Sequence, residues 1–232
     1  FEKLARSFSI TVTEMFRDPE GYKSLRKKVV PTLKTYPFFK IWHAGCASGE
    51  EVYSLAILLE EEGIMDRATI FATDFNDAAL DTAEEGVYPL DRVKQFTRSY
   101  QLAGGTRSFS EYYHAAYDSM AIAQALKRNT TFANYNLVTD DVFGEMRLIM
   151  CRNVMIYFDD DTIDGLKHRF FDSLAVDGWF IVGHSESFYF CDEYELVNFP
   201  GAILYRKTEV VAPDAAAPTV SHPDGTPTRK PL

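Results

Sequence analysis

Cysteine is scarce in this 232-residue chain: Cys46, Cys151 and Cys191 are odd in number and lack metal-ligand spacing. They imply neither a disulfide framework nor a thiolate metal centre, and they read as small buried thiols in a reducing compartment. No apolar run approaches the roughly 18 residues of a membrane span, and no signal peptide is visible. That pattern predicts a cytoplasmic protein without membrane insertion. Positive charge is also short, 24 Lys and Arg against 34 Asp and Glu, for a net charge of −10. Residues 1–40 carry nine of those cations against four acids, so the remainder is more acidic still. An acidic body excludes bulk nucleic-acid binding, whose affinity rests on phosphate contacts. The basic N-terminal stretch suits either an acidic protein surface or a solvated amphipathic helix.

Apolar and aromatic residues are plentiful: 46% of the chain is hydrophobic, with 18 Phe and 13 Tyr. One domain of this length buries a full core. Residues 1–36 read as a helical segment, with Leu4, Phe8, Phe16, Tyr22, Leu25 and Val29 apolar and Thr11 and Thr13 as caps before E-M-F-R. From 37 to 207, strand and helix signals alternate, the pattern of a parallel sheet covered by helices. Residues 87–134 break that rhythm. They read as a β-rich insertion with strands near 109–113 and 130–135, a helix over about 118–127, and a flexible A-G-G-T turn at 103–106. The tail, 208–232, is rich in Pro, Ala, Thr, Asp and Ser without periodicity and reads as disorder or linker.

The most informative stretch is I-W-H-A-G-C-A-S-G-E-E-V-Y-S, residues 41–54. An apolar strand runs into a small-residue turn holding Gly45 and Gly49, then into a helix with Val52, Leu55 and Leu58 on one face. Small residues let backbone approach a ligand, and the helix N-terminus supplies free N–H groups. Glu50 and Glu51 argue against a phosphate ligand and for a cation or a donor-rich ligand, such as a nucleoside methyl donor. The next strand, T-I-F-A-T at 69–73, ends at Asp74. There a carboxylate accepts from both hydroxyls of a ribose; Asp74 otherwise caps the next helix, a task Asn76 can also perform.

Four local sequences together resemble the CheR family of chemotaxis-receptor glutamate methyltransferases: T-V-T-E-M-F-R (11–17), A-G-C-A-S-G-E-E-V-Y-S-L-A, F-A-T-D-F and C-R-N-V-M-I-Y-F-D (151–159). A fifth, G-H-S-E-S-F (183–188), lies near the end of the fold, and the likeness spans about 9–207. It implies a Rossmann-like class I methyltransferase sheet, S-adenosylmethionine as donor and S-adenosylhomocysteine as product. The implied acceptor is a glutamate of a methyl-accepting chemotaxis receptor's cytoplasmic domain. By motif, Thr11, Thr13 and Arg17 fall in the donor-contacting segment, Gly45, Glu50 and Glu51 in the glycine turn, and Asp74 at the ribose. Asn136 and Leu137 would flank adenine, and Asn153 and Val154 would form the fourth-strand loop. Arg17 and Tyr157 become the catalytic candidates, their alternatives being a helix-surface salt bridge and a core aromatic. His184 reads as a turn histidine, because ester formation needs no base. Relatives carry a helical domain before the T-V-T-E-M-F-R position, where this chain has about ten residues. Some dock a receptor's C-terminal tail on the insertion. The same scaffold also suits another acceptor, or a donor sensor that transfers nothing.

Overall fold

The computed structural model describes residues 13–141, 144–184, 186, 194–199 and 201–208. Residues 209–232 of the tail, Cys191 and Thr11 lie outside the described residues. The core is a seven-stranded sheet in the order β6-β2-β1-β7-β8-β10-β9. Its strands are β1 (Phe39–Ala44), β2 (Ala68–Asp74), β6 (Thr130–Asn134), β7 (Met146–Cys151), β8 (Leu174–Val182), β9 (Tyr194–Phe199) and β10 (Ala202–Lys207). The first five are parallel, and β10 is antiparallel to both β8 and β9. β1 has β2 on one side and β7 on the other, so the chain reverses its winding direction beside β1. Open α/β sheets bind ligands outside the carboxyl ends of strands at such a reversal.

Strand residues alternate between two cores, as a period of two requires when both faces are covered. Ile41, Leu148, Met150 and Ile181 face one cluster; Trp42, Ile149, Cys151, Phe180 and Val182 face the other. Against the first lies α3 (Glu50–Glu61), almost wholly buried. The second is covered by α6 (Asp160–Ser173), whose Phe170 stacks on Phe180 with ring centroids 4.9 Å apart. α4 (Asp77–Glu85) follows β2, puts Leu80 into the first cluster and ends at Gly86, which is left-handed with φ 58°.

The N-terminal helix begins later than the sequence predicts. Residues 13–18 are not helical. α1 (Pro19–Ser24) starts with proline at its first turn, continues through a π turn (Leu25–Val29) and ends in α2 (Val30–Leu33). Pro31 has no N–H and crowds the preceding turn, which accounts for the widened turn there, where Val30 N–H donates to Leu25 O. Thr13 therefore caps no helix at E-M-F-R.

The insertion is shorter than expected and differently built. Residues 130–134 form β6 and pair with β2, so they belong to the main sheet. What remains, 87–129, holds a small antiparallel sheet, β3-β5-β4, made of Val87–Pro89, Ser119–Ile122 and Tyr113–Ala116. The region expected to be helical, 118–127, contains β5, because Met120 and Ile122 alternate inward. The helix, α5 (Val93–Leu102), lies earlier and buries Phe96 and Tyr100 one turn apart. Residues 109–112 form a 3-10 turn set by a Ser108–Glu111 capping box. Nor is the A-G-G-T turn loose. Gly105 N–H bonds Tyr100 O, Thr106 N–H bonds Glu61 Oε1 at 2.8 Å, and a Cβ on Gly105 would sit 2.2 Å from the Tyr100 ring.

Glu61, at the end of α3, gathers this region. Its carboxylate accepts from Arg26, from the hydroxyls of Tyr100 and Tyr112, and from Thr106. Burial raises its pKa, but the bonds from Tyr100, Thr106 and Arg26 outweigh it and hold the carboxyl below 4.5. A depressed carboxyl contributes stability above its unfolded pKa and loses it as pH falls through the folded value. Glu61→Gln should lower the chemical-denaturation midpoint, with the unfolding free energy reduced by about 3 kcal/mol as expected when a buried ion pair loses one partner. It should also flatten the fall in stability below pH 4.5. Equal midpoints for the two proteins at pH 7 would remove Glu61 from this role.

Candidate active site

Loops at the carboxyl ends of β1, β2 and β7 meet at the sheet's reversal. Gly45 follows β1 with φ 78°, and a Cβ there would lie 2.4 Å from Val154 Cγ2, so only glycine lets the β1 and β7 loops touch. The N–H groups of Gly45 and Cys46 both donate to Thr73 O, at 2.8 and 2.9 Å, which bends the turn over β2. Ala47 N–H then donates to Asp74 Oδ2 at 2.8 Å, and Asn76 N–H to Asp74 Oδ1 at 3.0 Å. Asn76 also caps α4, its side chain accepting from Ala79 N–H, so Asp74 does not serve as that cap. Half-buried Asp74 has its carboxyl pushed up by desolvation, against the bonds from Asn76 and Ala47. Its two oxygens hold about four lone-pair sites and these bonds take two, leaving capacity to accept a pair of hydroxyls.

The paired acids of α3 are each matched by an arginine that the sequence reading did not single out. Glu51 is bound by Arg152, whose side chain is only 3% exposed and also bonds Asp18 Oδ2 at 2.7 Å and Arg17 O at 3.3 Å. Burial alone would lower the Arg152 pKa, but Glu51, Tyr22 and Asp18 raise it, so the cation is secure. Glu50 accepts from Ser48 Oγ at 2.7 Å and from Arg92 at 2.9 Å. Its carboxyl is pushed up by burial, with Ser48 and Arg92 opposing. His43 lies beside Glu51, its Nε2 3.9 Å from a carboxylate oxygen, and desolvation keeps the imidazole neutral by lowering its pKa. A strand-end arginine followed by asparagine, far in sequence from two adjacent acids, was the available signal for the first pair.

Arg17 is exposed and stands between two left-handed residues, Phe16 and Asp18, both with φ 54°. Phe16 is fully buried, and its N–H bonds Ser54 Oγ at 2.8 Å. Ala47 and Asn153 also have positive φ, so four of the six non-glycine residues of this kind among the described residues lie in these loops. Such backbone costs about 1–3 kcal/mol each and gathers at functional sites. Arg17 and Asn153 share a cavity of about 510 Å³ with Asp18, Pro19, Glu20, His184 and Gly201. Arg17 therefore lies before α1, not on its surface. Tyr157 is 56% exposed in the turn Met155–Tyr157 and is not a core aromatic. It is not among the residues lining the cavity.

Other candidates lie further along the sheet edge. Asn136 follows β6, its Oδ1 accepting from Val138 N–H at 2.9 Å and its own N–H donating to Asp140 Oδ2 at 2.9 Å. Leu137 is buried in the Trp42 cluster. Thr13 is half-buried, and its carbonyl accepts from Arg92 at 2.7 Å. Among the described residues, no group of three His, Cys, Asp or Glu could hold a metal ion. None of their helices is long and apolar enough to cross a membrane.

Glu186, in the G-H-S-E sequence, is the other residue whose task emerges only in three dimensions. Only 4% exposed, it accepts from the N–H groups of Gly183 and Asn153 at 2.7 Å each and of Met155 at 2.9 Å. One carboxylate thus fixes left-handed Asn153 and the loop carrying Val154. Glu186→Gln turns an NH2 group toward donors. It should cost roughly 2–3 kcal/mol of stability, the scale of hydrogen bonds to a charged group, and should alter cleft binding more than a surface substitution of equal cost. Unchanged thermal stability would sink this assignment.

Comparison with known proteins shows the family. Residues 11–201 match the family described as CheR methyltransferase, SAM binding domain. The chain is similar to a Pseudomonas putida protein that carries the name methyltransferase Cher3, at 44% identity over 90% of this chain and 77% of that protein. It is 32% identical to the chemotaxis protein methyltransferase of Borreliella burgdorferi, across 80% of this chain and 67% of the relative. Chemotaxis protein methyltransferase 2 of Pseudomonas aeruginosa is also 32% identical, over 86% of this chain and 70% of its own length. The residues that carry the glycine turn, the strand-end aspartate and the Arg17–Asn153 cavity all lie within the matched span, and the chain belongs to the CheR methyltransferase family.

Proposed function

We propose that the chain methylates glutamate side chains on the cytoplasmic domain of methyl-accepting chemotaxis receptors, forming methyl esters in chemotactic adaptation. The observation that carries this reading is the cavity where exposed Arg17 meets Asn153 beside the Gly45–Val154 contact. When bound, S-adenosylmethionine supplies an electrophilic methyl group on a sulfonium. Asp74 accepts from the ribose hydroxyls, and the absent Cβ of Gly45 leaves the turn free to approach the ligand. Thr13, Glu50 and Glu51 would belong to the donor-holding residues, with Thr11 in the same segment, and Asn136 and Leu137 would hold the donor's base. A glutamate acceptor is already ionised at neutral pH, so no residue need act as its base. Arg17 orients the incoming carboxylate through paired N–H groups, and exposed Tyr157 lines the approach. Catalysis then rests on position and electrostatics.

Receptor recognition falls to the insertion. β4 is an edge strand, paired on one side only with β5, and its residues 114–116 are exposed. An extended receptor tail can add there as a further strand, main-chain bonds giving affinity. The A-G-G-T turn, fastened to Glu61, is not the docking element in this reading.

Labelled donor incubated with receptor-containing membranes should give base-labile methyl incorporation, and none would exclude the receptor acceptor. Asp74→Ala should weaken donor binding by roughly 1.5–3 kcal/mol; unchanged calorimetric affinity would reject the ribose role. Because its carboxyl is raised, donor affinity should begin to fall on acidification at a higher pH than the ordinary 3.8 predicts. Arg17→Ala and Tyr157→Phe should lower turnover by about a hundredfold for a lost transition-state contact, with smaller effects on donor affinity. Losses of equal size would reassign Arg17 to donor binding. A receptor-tail peptide should slow amide exchange at Tyr113–Ala116, and no binding at high micromolar peptide would remove the edge-strand proposal.

A further inference from the structure

Arg92 closes the 3-10 turn Leu90–Arg92, between β3 and α5, and so belongs to the insertion. Its guanidinium leaves the small sheet and reaches two donor-site elements. Nη1 donates to Glu50 Oε1 at 2.9 Å and Nη2 to Thr13 O at 2.7 Å, while the group lies 4.9 Å above the Phe96 ring. The second oxygen of Glu50 is taken by Ser48 Oγ at 2.7 Å. The neighbouring strand adds a third contact, with Tyr88 Oη donating to Ser48 O at 2.7 Å. Glu50 is 2% exposed and Arg92 29%. A carboxylate this buried needs a cation, and Arg92 is the only one paired with it among the described residues. The A-S-G-E turn, the Thr13 segment and the insertion therefore share one hydrogen-bonded junction.

We propose that Arg92 is a positioning residue for the methyl-donor site, and that the insertion helps build that site in addition to receiving a partner. Arg92 acts through Glu50 and a main-chain carbonyl, fixing the first turn of α3 and the segment leading to Arg17. This adds a second task to the receptor-tail docking that the family resemblance implies for the insertion. Motif matching passes over such a residue because it touches no ligand itself. The inference rests on the donor-site reading of Glu50 and Thr13.

The test is calorimetric binding of S-adenosylmethionine and S-adenosylhomocysteine to the intact chain and to Arg92→Met, Arg92→Lys, Glu50→Gln and the double variant Arg92→Met/Glu50→Gln. Methionine keeps the stem over Phe96 and removes both donated bonds. Its dissociation constant should rise roughly tenfold or more, the scale of lost bonds to a charged group. Lysine, able to serve one partner at a time, should recover part of that loss. The double variant should be no weaker than the poorer single one, because the two residues act as a pair. Turnover at saturating donor should change far less than the Michaelis constant for donor. If Arg92→Met fails to fold, Arg92→Lys carries the test, and a rise of about threefold or more supports the inference. Affinity within twofold of the parent in the folded variant overturns it and leaves the donor reading standing. Failure of the parent chain to bind either ligand overturns the donor reading itself.

Discussion

The site depends above all on a buried guanidinium. Arg152 closes β7 with its side chain 3% exposed, held by Glu51 from α3, by Asp18 and by the Arg17 carbonyl. An unpaired charge there would be very costly, so the three segments can leave this arrangement only together. Such a pair is weak evidence of net stability, since apolar residues of the same volume can pack as well. Its value is geometric. It fixes where the β7 loop, the first turn of α3 and the strained Phe16–Arg17–Asp18 corner stand relative to one another. Glu186 completes the work from the other side by fastening Asn153 and Met155 to the end of β8.

Helix α3 transmits this order across the molecule. At its N-terminal end Glu50 and Ser48 receive Arg92 and Tyr88; at its C-terminal end Glu61 receives Tyr100, Thr106, Tyr112 and Arg26. The insertion is thus gripped at both ends of a twelve-residue helix, roughly 18 Å apart by helical rise. Carboxylates facing tyrosines and arginines do the gripping, which explains why an acidic chain with many tyrosines can hold a small sheet firmly on its main body.

Much of the fold was legible in the sequence because its signals were local. The apolar strand read before Gly45 is β1, and the run T-I-F-A-T at 69–73 located β2 (Ala68–Asp74) to within a residue. Gly45 and Asp74 were read from strand ends and Asn153 from the family resemblance; in the structure the loops that carry them touch, through Gly45 with Val154 and Ala47 with Asp74. Pairing was the harder part. Residues 130–134 look like any short strand, and only partnership with β2 assigns them to the main sheet. Within 118–127, pairing on both sides makes Ser119–Ile122 a strand, and Gln124–Leu126 forms a 3-10 turn after it. Arg92, Arg152 and Glu186 stayed hidden because their partners lie 42, 101 and 33 positions away.

The glycine turn carries a chemical clock. Cys46 sits inside it, 2% exposed, and burial together with the charge of Asp74 pushes its thiol well above the ordinary range. At neutral pH it holds almost no thiolate, the form that alkylating reagents and peroxide attack. Cys151, wholly buried behind the Arg152 loop, is protected in the same way. Oxidants therefore leave the turn intact while it stays closed, and the rate at which Cys46 is alkylated counts how often it opens.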